Sequence, residues 1–181
     1  MQQLQNRILS IRKWNTDEDW PEVSTSTLLV QTEEWLAPYL NTVKKTEDLK
    51  KINLSQALFN HLKYEQQIDL NKTAPAKIVV PSGSNIQLQY FPHGETPVLA
   101  VRLQEVFGLS DTPKINNNKT SIVLHLLSPG YKPVQVTSDL RSFWNNTYHE
   151  VKKELKRRYP KHSWPQDPWE AAPVAKGRAK K

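Results

Sequence analysis

The sequence predicts an α+β fold: a helical N-terminal region followed by a β-β-α-β-β-α unit with a four-stranded antiparallel sheet. Three observations carry that expectation. Apolar residues recur at helical spacing through residues 1–74, and short β-rich runs bounded by Gly, Pro, Asn and Ser clusters begin near residue 77. The order hairpin-then-helix then occurs twice before residue 159. Apolar residues make up only 37% of the 181, yet Leu, Ile and Val are spread from Leu4 to Leu155, so a core can form.

Each element has its own local reason. Leu4, Ile8 and Ile11 at i, i+4 and i+7 predict a first helix, with Arg7, Arg12 and Lys13 off that line. The acidic stretch from Asn15 to Pro21 breaks the pattern and reads as a loop. Leu28, Trp35, Leu36, Tyr39 and Leu40 mark a second apolar face, which Pro38 kinks or ends. Thr46-Glu47-Asp48-Leu49 is a short capped turn. Asn53 caps a further helix, with Gln56 in the reciprocal position and a face of Leu54, Ala57, Leu58, Leu62 and Ile68. Ile78–Val80 and Ile86–Tyr90 flank the turn cluster Pro81-Ser82-Gly83-Ser84-Asn85 and form a hairpin.

Thr96-Pro97 then supplies a capping hydroxyl and a proline at the first helical position. With Leu99, Leu103, Val106 and Phe107 as its face and Gly108 as a left-handed stop, a helix is predicted over 97–107. The rival arrangement, a five-stranded OB-like barrel, needs a strand there. Ile122–Leu127 and Pro133–Val136 make the second hairpin around Ser128-Pro129-Gly130-Tyr131-Lys132. Ser138 caps a final helix with the stripe Leu140, Phe143, Trp144, Tyr148, Val151, Leu155 and Tyr159. The chain thus divides into a helical region 1–74, a ββαββα unit 75–159, and a Pro/Trp-containing extended segment with a basic tail, 160–181. Pro160, Pro165, Pro168 and Pro173 forbid a continuous helix in the last of these.

Several chemistries are excluded. The chain has no cysteine, which removes disulfides, thiolate metal sites and a thiol nucleophile together. None of the five glycines precedes a lysine, so no phosphate-cradling loop exists. Asp17-Glu18 follows Trp14-Asn15-Thr16 and not the apolar strand an ATPase acidic pair would end. No Gly-x-Ser-x-Gly elbow occurs, and His61, His93, His125, His149 and His162 lack metal-ligand spacing. His125, sharing a strand face with Val123 and Leu127, reads as packed or hydrogen-bonded. No catalytic residue, metal ligand or cofactor is assigned to the chain, and nothing points to a homo-oligomer. With no 18-residue apolar run and a polar start at Met1-Gln2-Gln3, no membrane association is expected and a cytoplasmic location is. The Asn-x-Thr triplets at Asn71, Asn118 and Asn145 then read as chance.

The net charge of +7 is unevenly placed. Residues 151–181 carry seven Lys and three Arg against Glu154, Asp167 and Glu170, while the first 150 residues are balanced. A neutral body with a basic end predicts an acidic polymer as partner, with RNA the expected one. The candidate nucleic-acid-binding residues are Lys152, Lys153, Lys156, Arg157, Arg158 and Lys161, with Trp144 and Tyr148 as candidate stacking platforms. Structure offers a competing account: cations at a helix C-terminus complement the macrodipole, and the aromatics lie on the core stripe.

Several stretches also match a known family. Glu34-Trp35-Leu36-Ala37-Pro38-Tyr39-Leu40, Val80-Pro81-Ser82-Gly83-Ser84 and the run Pro97 to Leu109 resemble the C-terminal region of HrpB-type bacterial ATP-dependent RNA helicases. So do His125–Pro129, Pro133–Leu140, Phe143-Trp144, and the closing stretch Val151–His162 with Trp164-Pro165. In that DEAH-type family, two RecA-like motor domains bind ATP and Mg and hydrolyse the nucleotide, and accessory domains follow. The resemblance implies that this chain is such an accessory domain, its partners RNA and the helicase motor domains, and that its ATPase residues have no counterpart here. Two roles follow as expectations: binding or guiding RNA through the basic terminal helix and tail, or a protein-interaction module in which segment 160–173 docks on the motor or another partner.

Overall fold

In the computed structural model, residues 1–41 and 43–175 are described, and they form two compact units. The first comprises Met1–Pro75 with Tyr90–Glu95; the second comprises Ala76–Gln89 and the described residues from Thr96 onward.

The first unit is helical. Helix α1 (Gln2–Trp14) buries Ile8 and Ile11, as their spacing requires, but it also buries a polar side. Gln5 Nε2 donates to the Val23 carbonyl at 2.9 Å, Asn6 Nδ2 to the Tyr90 carbonyl at 2.8 Å and Arg7 Nε to the Ala74 carbonyl at 2.7 Å. These bonds satisfy loop carbonyls that no helix or strand would satisfy. Burial pushes the Arg7 guanidinium below its ordinary pKa, with nearby Tyr90 opposing. Helices α2 (Thr25–Val30), α3 (Thr32–Trp35) and α4 (Ala37–Leu40) are short, and the chain bends at Leu36, two residues before Pro38. In α5 (Thr46–Leu49), the Asp48 carboxylate reaches back to the Lys45 N–H.

Asn53 caps α6 (Leu54–His61) through Gln56 N–H at 3.1 Å, while the Gln56 side chain bonds Asn60 instead of completing a capping box. The chain breaks at Leu62 and restarts as α7 (Tyr64–Thr73). Ile68 therefore leaves the expected stripe and is exposed.

The second unit holds a five-stranded mixed sheet in place of the expected four antiparallel strands. Strands β1 (Lys77–Val79), β2 (Asn85–Gln89) and β3 (Val98–Arg102) form an antiparallel meander. A two-stranded hairpin, β4 (Lys114–Ile115) with β5 (Thr120–Ser121), follows, then β6 (Val123–Leu127) and β7 (Pro133–Thr137). The sheet order is β1-β2-β3-β6-β7, with β3 and β6 parallel.

No helix forms over 97–107. Leu99 and Val101 are buried while Ala100 between them is exposed, the alternation of a strand with one packed face and not of a helix. Leu99 lies opposite Leu88 on one side and Leu124 on the other. Only Leu103–Glu105 turn helically, as a single 3₁₀ turn, and Gly108 adopts φ +79 where a left-handed residue was expected. The strand that an OB-like barrel needs is present, yet β1 and β7 stand at opposite edges and the sheet stays open. In the β4–β5 turn, Asn116, Asn117 and Asn118 take φ 52, 52 and 65, a left-handed run that asparagine tolerates better than other side chains.

The inner face of the sheet contributes Leu88, Leu99, Val101, Leu124 and Leu126 to this core, the connection after β3 adds Leu103, Val106 and Phe107, and the terminal helical segment adds its inward stripe. That segment begins with α8 (Leu140–Ser142), capped by Asp139 and not Ser138: its carboxylate accepts from the Ser142 N–H at 2.9 Å. A π turn at Phe143–Thr147 leads into α9 (Tyr148–Arg158). The wider turn lets Phe143, Trp144 and Tyr148 all face inward.

Beyond α9 the chain doubles back as a strap. Gly108 N–H donates to the Pro168 carbonyl, and Val174 N–H to the Gln104 carbonyl, each at 2.9 Å. Trp164 Nε1 donates to the Tyr159 carbonyl at 2.8 Å. The described part of the Pro/Trp segment thus docks on its own unit. The tail cations Lys176, Arg178, Lys180 and Lys181 lie outside the described residues.

Candidate nucleic-acid interface

The buried side of α9 is Tyr148, Val151 and Leu155, which turns the charged side outward. Lys153, Lys156, Arg157, Arg158 and, just beyond the helix, Lys161 are exposed, and no ion pair among the described residues engages them. Lys156, Arg157 and Arg158 occupy the last turn, where the helix dipole favours cations. Arg158 also lies over the Tyr159 ring at 5.8 Å. Lys153 and Arg157 border a shallow 380 Å³ depression with Glu150, Val151 and Glu154.

Three of the expected site residues have other occupations. Lys152 is half-buried: its Nζ donates to Gln166 Oε1 at 2.5 Å and to the Pro165 carbonyl at 3.2 Å, and lies 5.8 Å from the centre of the Tyr148 ring. It clamps the strap. Trp144 and Tyr148 are 2% and 0% exposed, so neither ring face is open to a base. They stack within the protein: the Trp144 and Tyr148 rings meet edge-on at 5.3 Å, and Phe107 and Phe143 complete the cluster. Trp144 Nε1 donates to the Leu109 carbonyl at 2.9 Å. Their burial is what the 3.6-residue spacing of the core stripe leads one to expect.

Burial of Tyr148, whose hydroxyl donates to the Pro165 carbonyl at 3.0 Å, pushes its pKa above the ordinary 10.0. Tyr90, bonded to the Pro75 carbonyl, is raised by burial too, with Arg7 opposing. Below about pH 10 both rings are neutral whether folded or unfolded, and this contribution to stability is intact. Above it the unfolded chain loses protons that the folded chain keeps, so stability falls as pH rises. Urea midpoints measured from about pH 8 to about pH 11 should therefore decline, and Tyr148→Phe should flatten the decline.

The sequence reading missed a buried ion pair in the second unit. Arg102, at the end of β3, meets Glu105 with Nε–Oε1 2.7 Å, while Ser82 Oγ donates to the other carboxylate oxygen at 3.2 Å. The guanidinium also bonds the Ala175 carbonyl and lies 5.1 Å from the centre of the Tyr131 ring. One arginine and one glutamate thereby join β3, the first hairpin turn, the second hairpin turn and the strap. Their i, i+3 spacing was visible in the sequence, but it was indistinguishable there from an exposed helical pair.

Among the described residues no cluster of three or more His, Asp or Glu is placed to hold a metal ion, and no helix is long and apolar enough to cross a membrane. Residues 35–168 match the family described as ATP-dependent helicase C-terminal, HrpB_C. The chain belongs to that family. The HrpB relatives extend the match. The ATP-dependent RNA helicase HrpB of Escherichia coli (strain K12) is 43% identical over 173 residues, covering 96% of this chain and 21% of that protein. The crystal structure of the E. coli DExH-box NTPase HrpB aligns with a TM-score of 0.89 at 43% identity, over 96% of this chain and 21% of that one. A crystal structure of the Escherichia coli DEAH/RHA helicase HrpB aligns at 0.75 and 41% identity, over 90% and 20%. The chain thus spans about a fifth of the length of the HrpB proteins it matches.

Proposed function

We propose that this chain is an accessory C-terminal domain of an ATP-dependent RNA helicase and that it binds or guides RNA through the outer face of α9. The observation that carries this reading is the set of exposed cations Lys153, Lys156, Arg157 and Arg158 on a helix whose other side is locked in the core, with Lys161 just beyond it, none of them in an ion pair among the described residues. A rigid helix presents such charges to phosphates at little entropic cost, and the basic tail would add to them. ATP and Mg would be held by motor domains of the parent helicase, which supply the hydrolysis that this chain has no residues for.

Charge reversal tests the reading. In Lys153→Glu/Lys156→Glu/Arg157→Glu, affinity for single-stranded RNA should fall steeply at low salt. If all three cations meet phosphates, the slope of log K against log salt should flatten by about 2, at about 0.7 per contact. Melting should stay near the parent's, since these side chains are exposed. Parent-like RNA binding by this variant would overturn the assignment.

A protein-docking role has one observation of its own. Leu29 and Val30 on α2 are 72% and 87% exposed, an adjacent apolar pair that would suit contact with the motor domains of a parent chain.

A further inference from the structure

The outer face of the five-stranded sheet has an unusual make-up. Lys77 lies opposite Gln87, Ala100 opposite His125, and His125 opposite Val136. The pairing of Leu88 with Leu99 places Gln87 next to Ala100, so these five residues form one row across all five strands. Asn85 and Gln89 flank Gln87 on the same face of β2, because side chains alternate along a strand.

Lys77, Asn85, Gln87, Gln89, Ala100 and Val136 are exposed and His125 is half-buried. Among the described residues, the side chains of Lys77, Asn85, Gln87, Gln89 and His125 find no hydrogen-bond partner. No carboxylate stands in this row or its β2 flanks, and the nearby Glu105 is buried against Arg102.

We propose that this face is a second RNA contact, one that reads unpaired bases, with Asn85, Gln87 and Gln89 as the reading row. It rests on the RNA-binding function proposed above and adds to it a site on a different element. Carboxamides can pair in two-point fashion with base edges, and three of them at alternate strand positions recur about every 6.7 Å. Base edges are reachable by side chains in single strands, not in the deep groove of an RNA duplex. Lys77 supplies a phosphate contact at the end of the row, and the absence of carboxylates suits a polyanion. A protein partner fits less well. Protein interface cores are rich in aromatic residues and Met, whereas the exposed apolar side chains of this face, Val79, Ala100 and Val136, are small and aliphatic. The division of labour is then physical: α9 binds any strand in a salt-dependent way, and the sheet discriminates among bases.

The test uses the 181-residue chain with fluorescent homopolymers of A, C, G and U, each about ten nucleotides long. The parent should bind the four with affinities spread over about tenfold or more. Asn85→Thr/Gln87→Thr/Gln89→Thr keeps a β-favouring residue at each position and should fold as the parent does. It should shrink the spread to about threefold or less while leaving the salt slope unchanged. Photo-crosslinked 4-thiouridine should map to residues 77–89 or 123–127 in the parent and not in the variant. Equal affinities for all four polymers in the parent, an unchanged spread in the variant, or crosslinks confined to α9 would overturn the sheet-face site while the α9 reading stands. Failure of the parent to bind any polymer at low salt would overturn both.

Discussion

Replacing Glu105 by alanine should destabilise the folded chain by about 3–5 kcal/mol, read as an earlier urea midpoint. The Arg102 and Glu105 side chains are only 11% and 5% exposed. Removing the carboxylate leaves a desolvated guanidinium and takes the acceptor from Ser82 Oγ. The paired replacement Arg102→Met/Glu105→Leu should cost less than the single one, because no buried charge is orphaned. Arg102→Met also releases the Ala175 carbonyl, so proteolysis within 160–175 should quicken in that variant. A Glu105→Ala protein within about 1 kcal/mol of the parent would mean that water reaches the pair and that the strap is held by its backbone bonds.

Trp144→Ala should be as damaging, about 3–5 kcal/mol, since the indole is buried among Phe107, Phe143 and Tyr148 and its loss also leaves the Leu109 carbonyl without its donor. RNA affinity per folded molecule, measured well below the unfolding midpoint, should be unchanged. The opposite pattern, intact stability with weaker binding, would restore the stacking role first expected of this ring.

Local chemistry made much of the chain legible from the sequence. The helix of Ile8 and Ile11, the Asn53 cap, both hairpins and the inward stripe from Leu140 to Leu155 all follow from interactions within a few residues. The location of the excess charge was equally plain, because charge is a property of composition. The HrpB resemblance rested on ordered runs of residues and needed no coordinates.

Partners distant in sequence decided the rest. Pro97 to Phe107 satisfies helix spacing, yet its first part, Val98–Arg102, is strand because β2 and β6 satisfy its backbone on both sides. Local propensity is worth tenths of a kcal/mol per residue, which two flanking strands easily outweigh. Lys152 reads as one more cation until the strap returns to it. Asn85, Gln87 and Gln89 read as ordinary strand exterior until five strands set them in a face without carboxylates. Spacing along a chain reports which side chains share a face; only tertiary structure decides whether that face meets protein or water.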